Sequence, residues 1–147
     1  MADILQGAEN GQVSKMELAG DHYKNGKHGF NQDSALAYQW FDKARKAGSV
    51  IGLGNVGDML TTENGVAKNT TLGIMYLTRA ALEKGSPYAS FKLGIALAKG
   101  KFGLPVDRKD AIHWLKKARG KGTRDFLDDD EKAHAGKVLE ESLTLLV

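Results

Sequence analysis

Glycine recurs along this chain at a fixed step, and that recurrence constrains the fold more than any other feature. Successive members of the series Gly11, Gly48, Gly85 and Gly122 are 37 residues apart, and so are Gly20, Gly57 and Gly94. A period of roughly 20 to 50 residues is typical of stacked structural repeats. One helix pair cannot bury its apolar face alone, so neighbouring copies must pack against each other to form a core. The chain is therefore predicted to be an array of roughly three repeats.

Apolar residues recur in the same register as the glycines. The recurring sets are Ala44, Ala81 and Ala118; Ala19, Val56 and Leu93; Tyr23, Leu60 and Leu97; and Trp40, Leu77 and Trp114. Within each copy the apolar residues are spaced as on one face of a helix, so each copy is predicted to hold two helices. The pattern predicts first helices near 14–25, 51–62 and 87–99, and second helices near 34–47, 70–84 and 108–121.

Residues that commonly begin and end helices support these bounds. The expected N-caps are Ser14, Asp33, Ser86 and Asp107. Glu17 lies three residues after Ser14, as in a capping box, and Pro87 follows Ser86 in the first turn. Glycine can end a helix in the left-handed conformation at no steric cost. The second helices are therefore expected to end near Gly48, Gly85 and Gly122.

A single domain is predicted for residues 1–147. Its repeats are expected at approximately 12–48, 49–85 and 86–122, with a partial helix at 2–10 and a capping helix at 128–146. Terminal caps are what a repeat array requires. The acidic run from Asp128 to Glu131 would lie at the N-terminus of the capping helix, where negative charge is favourable. We interpret this run as a helix cap rather than a metal site.

Composition excludes several classes of protein. With 41% hydrophobic and 27% charged residues, the chain is typical of folded rather than disordered proteins. No apolar run reaches the roughly 20 residues of a membrane span, and the sequence does not begin like a signal peptide. The absence of cysteine excludes disulfides, thiol catalysis and cysteine metal sites. A cytoplasmic protein is predicted, with a periplasmic or secreted location open if a signal peptide has been removed.

The repeated residues carry a resemblance to a known family. Repeat three reads Leu93-Gly94, Leu97, Gly100, Gly103, Asp107, Ala111, Trp114, Lys117-Ala118 and Gly122. Repeat one reads Ala19-Gly20, Tyr23, Gly26, Gly29, Asp33, Ala37, Trp40, Lys43-Ala44 and Gly48. This pattern resembles the Sel-one-like repeat (SLR) family, with a degenerate middle repeat in which Glu63 replaces a turn glycine. The resemblance implies an all-α fold: a right-handed α/α superhelix, or solenoid, of about three helix-turn-helix repeats with a C-terminal capping helix, related to the tetratricopeptide fold.

Candidate catalytic and metal-binding residues are few. His22 and His28 flank a turn and are the one pair that could share a metal, but we interpret them as solvated surface side chains. No carboxylate pair, GxSxG, HExxH or phosphate-loop pattern is present. The segment 52–57, GLGNVG, matches a dinucleotide-binding fingerprint. Such a site must follow a strand and open a helix, whereas here Gly57 is a repeat glycine. We therefore predict no enzyme activity, no cofactor and no bound metal.

One helix and its exit carry an excess of basic residues. The basic patch consists of Arg108, Lys109, Lys116, Lys117, Arg119, Lys121 and Arg124. Such a patch attracts acidic proteins or a phosphate backbone. We favour a solvated face or an acidic protein partner over nucleic acid, because the aromatic residues that usually interleave in single-strand binders are missing.

The resemblance also locates a binding surface, because first helices line the concave face in tetratricopeptide-like arrays. The residues expected there are Glu17, Asp21, Lys24, Asn25, Asp58, Thr61, Thr62, Tyr88, Phe91, Ile95 and Lys99. Tyr88, Phe91 and Ile95 form either an apolar anchor site or a surface covered by the terminal helix. We favour cover, because Leu139, Leu143 and Leu146 need an apolar surface against which to pack.

The sequence thus predicts a monomeric adaptor or scaffold that binds another protein or peptide, with no membrane partner. A narrower alternative is an inhibitor or immunity protein that covers one enzyme. An enzyme acting on β-lactams is a weaker alternative, because the family members linked to that activity are rich in disulfides. Nucleic-acid binding is the third alternative, and it predicts affinity that falls steeply with salt.

Overall fold

The computed structural model describes residues 1–119 and 127–146, and within them the regular secondary structure is entirely α-helical. The helices are α1 Ala2–Glu9, α2 Val13–Asn25, α3 Ser34–Lys46, α4 Val50–Thr62, α5 Thr70–Lys84, α6 Pro87–Lys99, α7 Arg108–Ala118 and α8 Asp129–Leu146. Each begins and ends within one residue of its predicted bounds, except that α7 ends at Ala118. The chain divides into two compact units, Met1–Tyr76 and Leu77–Val147, and α5 crosses the boundary.

Most of the predicted helix caps are confirmed. Asp33 Oδ1 accepts a hydrogen bond of 2.9 Å from the Leu36 N–H, and Asp107 Oδ1 accepts one of 3.0 Å from Asp110. Ser86 caps α6 in the same way, with Pro87 in the first turn. Asp128 and Glu131 form a reciprocal capping box at the start of α8, with N···O distances of 2.7 and 2.9 Å. The acidic run is therefore a helix cap.

The capping box predicted at Ser14 is wrong. Helix α2 begins at Val13 after Gln12, and no side chain caps it. The Glu17 carboxylate instead accepts a hydrogen bond from Ser49 Oγ. At the other helix ends, Gly48 and Gly85 have φ values of 94° and 65°, as predicted, while Gly122 lies outside the described residues.

The unit Met1–Tyr76 is built by helices that pack in chain order. Helix α1 packs against α2, α2 against α3, and α3 against α4. Ala8, Ala19 and Trp40 form one buried cluster. A second buried cluster joins α3 to α4 and contains Ala37, Phe41, Val56, Met59 and Leu60. The apolar positions that recur every 37 residues therefore form the core, as the periodicity predicts.

Gly20 and Gly94 allow close helix packing in repeats one and three. A Cβ atom on Gly20 would lie 2.8 Å from the Phe41 ring, and one on Gly94 would lie 2.7 Å from Leu115 Cγ. Phe41 and Leu115 occupy equivalent positions in repeats one and three. Because packed interiors have no room for an extra methyl group, glycine is required at both contacts.

The unit Leu77–Val147 ends in a three-helix cluster. Helix α6 packs against α7, and α8 packs against both. The core contains Tyr88, Phe91 and Ile95 of α6, Ile112 and Leu115 of α7, and Ala135, Val138 and Leu139 of α8. Helix α8 thus covers the apolar face of α6, as predicted. Of the three leucines expected to pack there, Leu139 is buried, whereas Leu143 and Leu146 near the end of α8 are exposed.

Candidate functional site

An exposed polar surface lies along the first helices of the unit Met1–Tyr76. We define this first-helix surface by Asp21, Lys24 and Asn25 of α2 and Asn55 and Thr62 of α4. Lys24 Nζ donates a 3.0 Å hydrogen bond to Asn55 Oδ1, which joins the two helices. Asn25 Nδ2 donates a 2.8 Å bond to Asp21 Oδ1 on the next turn. Asp21, Asn25 and Thr62 are exposed, Lys24 is partly buried and Asn55 is buried, so the polar groups that face solvent here lie beside a buried amide that holds Lys24.

Glu17 was expected to face solvent, and this prediction is wrong. Its side chain is only 8% exposed. Ser49 Oγ donates a 2.6 Å hydrogen bond to Glu17 Oε1 and accepts a 2.9 Å bond from the Gly52 N–H. A buried carboxylate needs such partners because burial otherwise penalises its charge. Glu17 therefore joins α2 to the N-cap of α4 and offers little surface to a partner.

Asp58 and Thr61 were also expected to face solvent, and both are buried. Thr61 Oγ1 donates a 2.7 Å hydrogen bond to the Asp58 backbone carbonyl, and Thr62 Oγ1 donates one of 2.9 Å to the same oxygen. Ten consecutive residues of α4, from Gly52 to Thr61, are buried, so most of its polar positions lie inside the protein. Helical spacing alone could not reveal this, because a helix buried all round has no solvent face.

Tyr88, Phe91 and Ile95 lie in the core beneath α8, with exposed fractions of 7%, 4% and 6%. The Phe91 ring meets the His134 imidazole of α8 edge to face, with ring centroids 5.8 Å apart. These three residues are therefore covered by the terminal helix, as favoured from the sequence, and do not form an exposed anchor site. Lys99, the last residue of α6, is exposed.

The basic patch predicted on α7 is described only in part. Lys109, Lys116, Lys117 and Arg119 are exposed, Arg108 is partly buried, and Lys121 and Arg124 lie outside the described residues. The Lys117 ammonium lies 5.3 Å from the centroid of the Trp114 ring, and Lys43 lies over Trp40 at 4.6 Å in the equivalent position of repeat one. These lysines cover the tryptophan rings, which accounts for their recurrence in both repeats.

His22 at the α2–α3 turn is packed rather than solvated, contrary to the sequence interpretation, whereas His28 is exposed as expected. His22 is 8% exposed, and its ring centroid lies 4.5 Å from that of His28. Phe30 packs edge to face on His22 at 5.2 Å. Within the described residues, His22 Nδ1 is the one buried side-chain polar atom without a hydrogen-bond partner. No group of three metal-ligating side chains converges in the described part of the chain.

We expect the stability of the protein to fall on mild acidification because of His22. Burial lowers the pKa of His22 below its usual 6.5, and the neighbouring His28 lowers the pKa further. The neutral imidazole therefore favours folding, so its contribution is complete above about pH 6.5 and is lost as pH falls through the lower folded pKa. Urea unfolding at about pH 7.5 and about pH 5 measures this loss. The His22→Leu variant should lose less stability between these pH values than the parent chain, and an equal loss in both would contradict the assignment.

A protein-family model and a solved structure both match most of this chain. The family model described as "Sel1 repeat" matches residues 13–49, 52–84 and 87–122. No curated protein matches. The chain is 30% identical to a Sel1 repeat protein from Oxalobacter formigenes, with a TM-score of 0.64 and coverage of 95% of this chain and 96% of the other.

A second solved structure extends the comparison. It is c5321, described as a protective antigen present in uropathogenic Escherichia coli strains and displaying an SLR fold. Identity is 26%, the TM-score is 0.66, and the match covers 95% of this chain but 32% of c5321. The predicted fold class, an all-α α/α solenoid with a C-terminal helix, is confirmed by these matches together with the helical structure.

Proposed function

This chain belongs to the Sel1 repeat family, and on that basis we propose that it is a non-catalytic adaptor that binds a partner protein or peptide through its first helices, on the face predicted to be concave. Sel1 repeat proteins generally mediate protein–protein interactions and are typically non-enzymatic scaffolds. Among the described residues, none of the helices has the length and apolar character of a membrane span. We propose that the partner is a protein and that this chain meets it as a monomer.

The proposal rests on the hydrogen bonds that hold the two helices of the first-helix surface together. Two hydrogen bonds join α2 to α4 or its N-cap, from Lys24 to Asn55 and from Ser49 to the buried Glu17. Side chains that are already held in place lose less conformational entropy when a partner arrives. The exposed groups of Asp21, Asn25 and Thr62 thus offer acceptors and donors at positions that the fold fixes, which suits recognition of a polar protein surface.

An inhibitor or immunity-type protein is a narrower version of the same proposal. Such a protein would use the same surface but would cover one enzyme and abolish its activity. Identification of the bound partner separates this version from a general adaptor.

We expect added positive charge on the first-helix surface to weaken partner binding by at least about tenfold, or about 1.4 kcal/mol. The test variant is Asp21→Lys combined with Asn25→Lys, both exposed positions of α2. The matched control is Asp3→Lys combined with Gln6→Lys, which makes the same change in net charge on exposed positions of α1. The partner is captured from the native cell, identified and purified, and its dissociation constant is measured by calorimetry.

Thermal unfolding should show both variants folded, because all four positions are exposed. Unchanged affinity in the Asp21 and Asn25 variant, together with a loss on changing Lys116 and Lys117 to glutamate, would place binding on α7 instead and overturn the proposed surface.

A further inference from the structure

Three exposed lysines lie on the unit Leu77–Val147. Lys99 ends α6, Lys101 lies in the turn that follows, and Lys137 lies on α8. All three are exposed, and within residues 1–119 and 127–146 none of them takes part in an ion pair. We call this set, together with His134, the α6–α8 basic surface.

The packing of α8 on α6 brings these residues to one edge of the unit. His134 contacts Phe91, so this part of α8 lies over α6. Lys137 follows His134 by one helical turn, and Lys99 follows Ile95 of the buried face by one turn. Residues three or four apart lie on the same side of a helix, so Lys137 and Lys99 lie at the margin of this contact.

The charged groups that act on His134 are lysines. Burial lowers the pKa of His134, and Lys99, Lys101, Lys92 and Lys137 lower the pKa further, in that order. Asp130 and Glu131 precede His134 by about a turn, and Glu140 and Glu141 follow Lys137 by about a turn. Glu131 is held at the N-cap, where it accepts the Asp128 N–H.

We propose that the α6–α8 basic surface binds an acidic segment of the partner protein. The inference rests on the proposed function and adds the chemistry of the ligand, a run of aspartate or glutamate side chains. Closely spaced lysines without carboxylate partners repel each other and attract carboxylates, and much of that attraction acts during diffusional encounter. Nucleic acid is disfavoured because Tyr88 and Phe91, the aromatic rings beside the surface, are buried and cannot stack on bases.

The test measures binding of a fluorescent oligo-glutamate peptide to the full chain at two salt concentrations. The test variant replaces Lys99, Lys101 and Lys137 with glutamine, and the control replaces the exposed Lys27, Lys68 and Lys84 with glutamine. The two variants have the same net charge. We expect the test variant to lose about tenfold or more in affinity and the control to keep the affinity of the parent chain. Bound carboxylates should also raise the pKa of His134, which nuclear magnetic resonance measures directly.

Equal losses in both variants would show that net charge alone attracts the peptide and would overturn the proposal, as would an unchanged pKa of His134. Tighter binding of oligothymidylate than of oligo-glutamate would assign the surface to nucleic acid instead. If the captured partner binds the Lys99, Lys101 and Lys137 variant as tightly as the parent chain, this inference fails while the proposed adaptor function stands.

Discussion

Replacing Phe41 with alanine should destabilise the protein by about 3 to 5 kcal/mol. Phe41 is 1% exposed and lies in the cluster that joins α3 to α4. Its ring also fills the space beside Gly20, so it contacts α2 as well. Removing the ring therefore leaves a cavity that three helices border. Because the total stability of a domain is about 5 to 15 kcal/mol, such a loss would remove a large share of it.

Urea unfolding followed by circular dichroism measures this effect. The control is Met75→Ala, which truncates a side chain that is 48% exposed and should change stability by less than about 0.5 kcal/mol. A loss below about 1 kcal/mol for Phe41→Ala would mean that the helices can collapse into the cavity, and the close packing derived above would then be incorrect.

Replacing Gly52 with alanine should destabilise the protein by about 1 to 3 kcal/mol or more, although alanine is the better helix former. A Cβ atom at this position would lie 2.6 Å from the Arg45 amide nitrogen and 2.6 Å from the Phe41 carbonyl oxygen. Both are backbone atoms near the end of α3, so no rotamer change can relieve the overlap. Helices α3 and α4 would have to separate, at the expense of the cluster between them.

Gly136→Ala is the matched control, because Gly136 also lies within a helix, α8. There the nearest atom to a new Cβ is Arg119 Cζ at 3.8 Å, an ordinary contact. Alanine should therefore raise stability by up to about 1 kcal/mol through its helix propensity. Opposite signs for the two substitutions in thermal unfolding would confirm the close approach of α3 and α4, and equal signs would contradict it.

The helices and most of their caps could be predicted because they depend on local chemistry. Asp33, Ser86 and Asp107 cap their helices wherever the chain lies in space, since the accepting oxygen and the donating N–H are three residues apart. The glycine period predicted the contacts of Gly20 and Gly94. Gly52 gave no such signal, because Lys15 and Ala89 occupy the equivalent positions one period away.

The burial of polar residues could not be predicted, because it depends on partners far away in the sequence. Glu17 and Ser49 are 32 residues apart, and no spacing rule links them. The same holds for His22, which looks like a turn residue in the sequence but is packed between His28 and Phe30. Of the residues predicted to bind the partner, four are exposed in the structure: Asp21, Asn25, Thr62 and Lys99. Their role in binding stays a prediction.

Site-specific photo-crosslinking tests the central claim, that the first helices bind the partner, most directly. A photoreactive side chain is placed at Asn25 or Thr62 of the first-helix surface, or at the exposed Lys46 of α3 or Lys117 of α7 as controls. We expect a covalent adduct with the identified partner from Asn25 and Thr62 and little or none from the control positions. Adducts that form from Lys46 or Lys117 but not from Asn25 or Thr62 would show that the partner binds elsewhere.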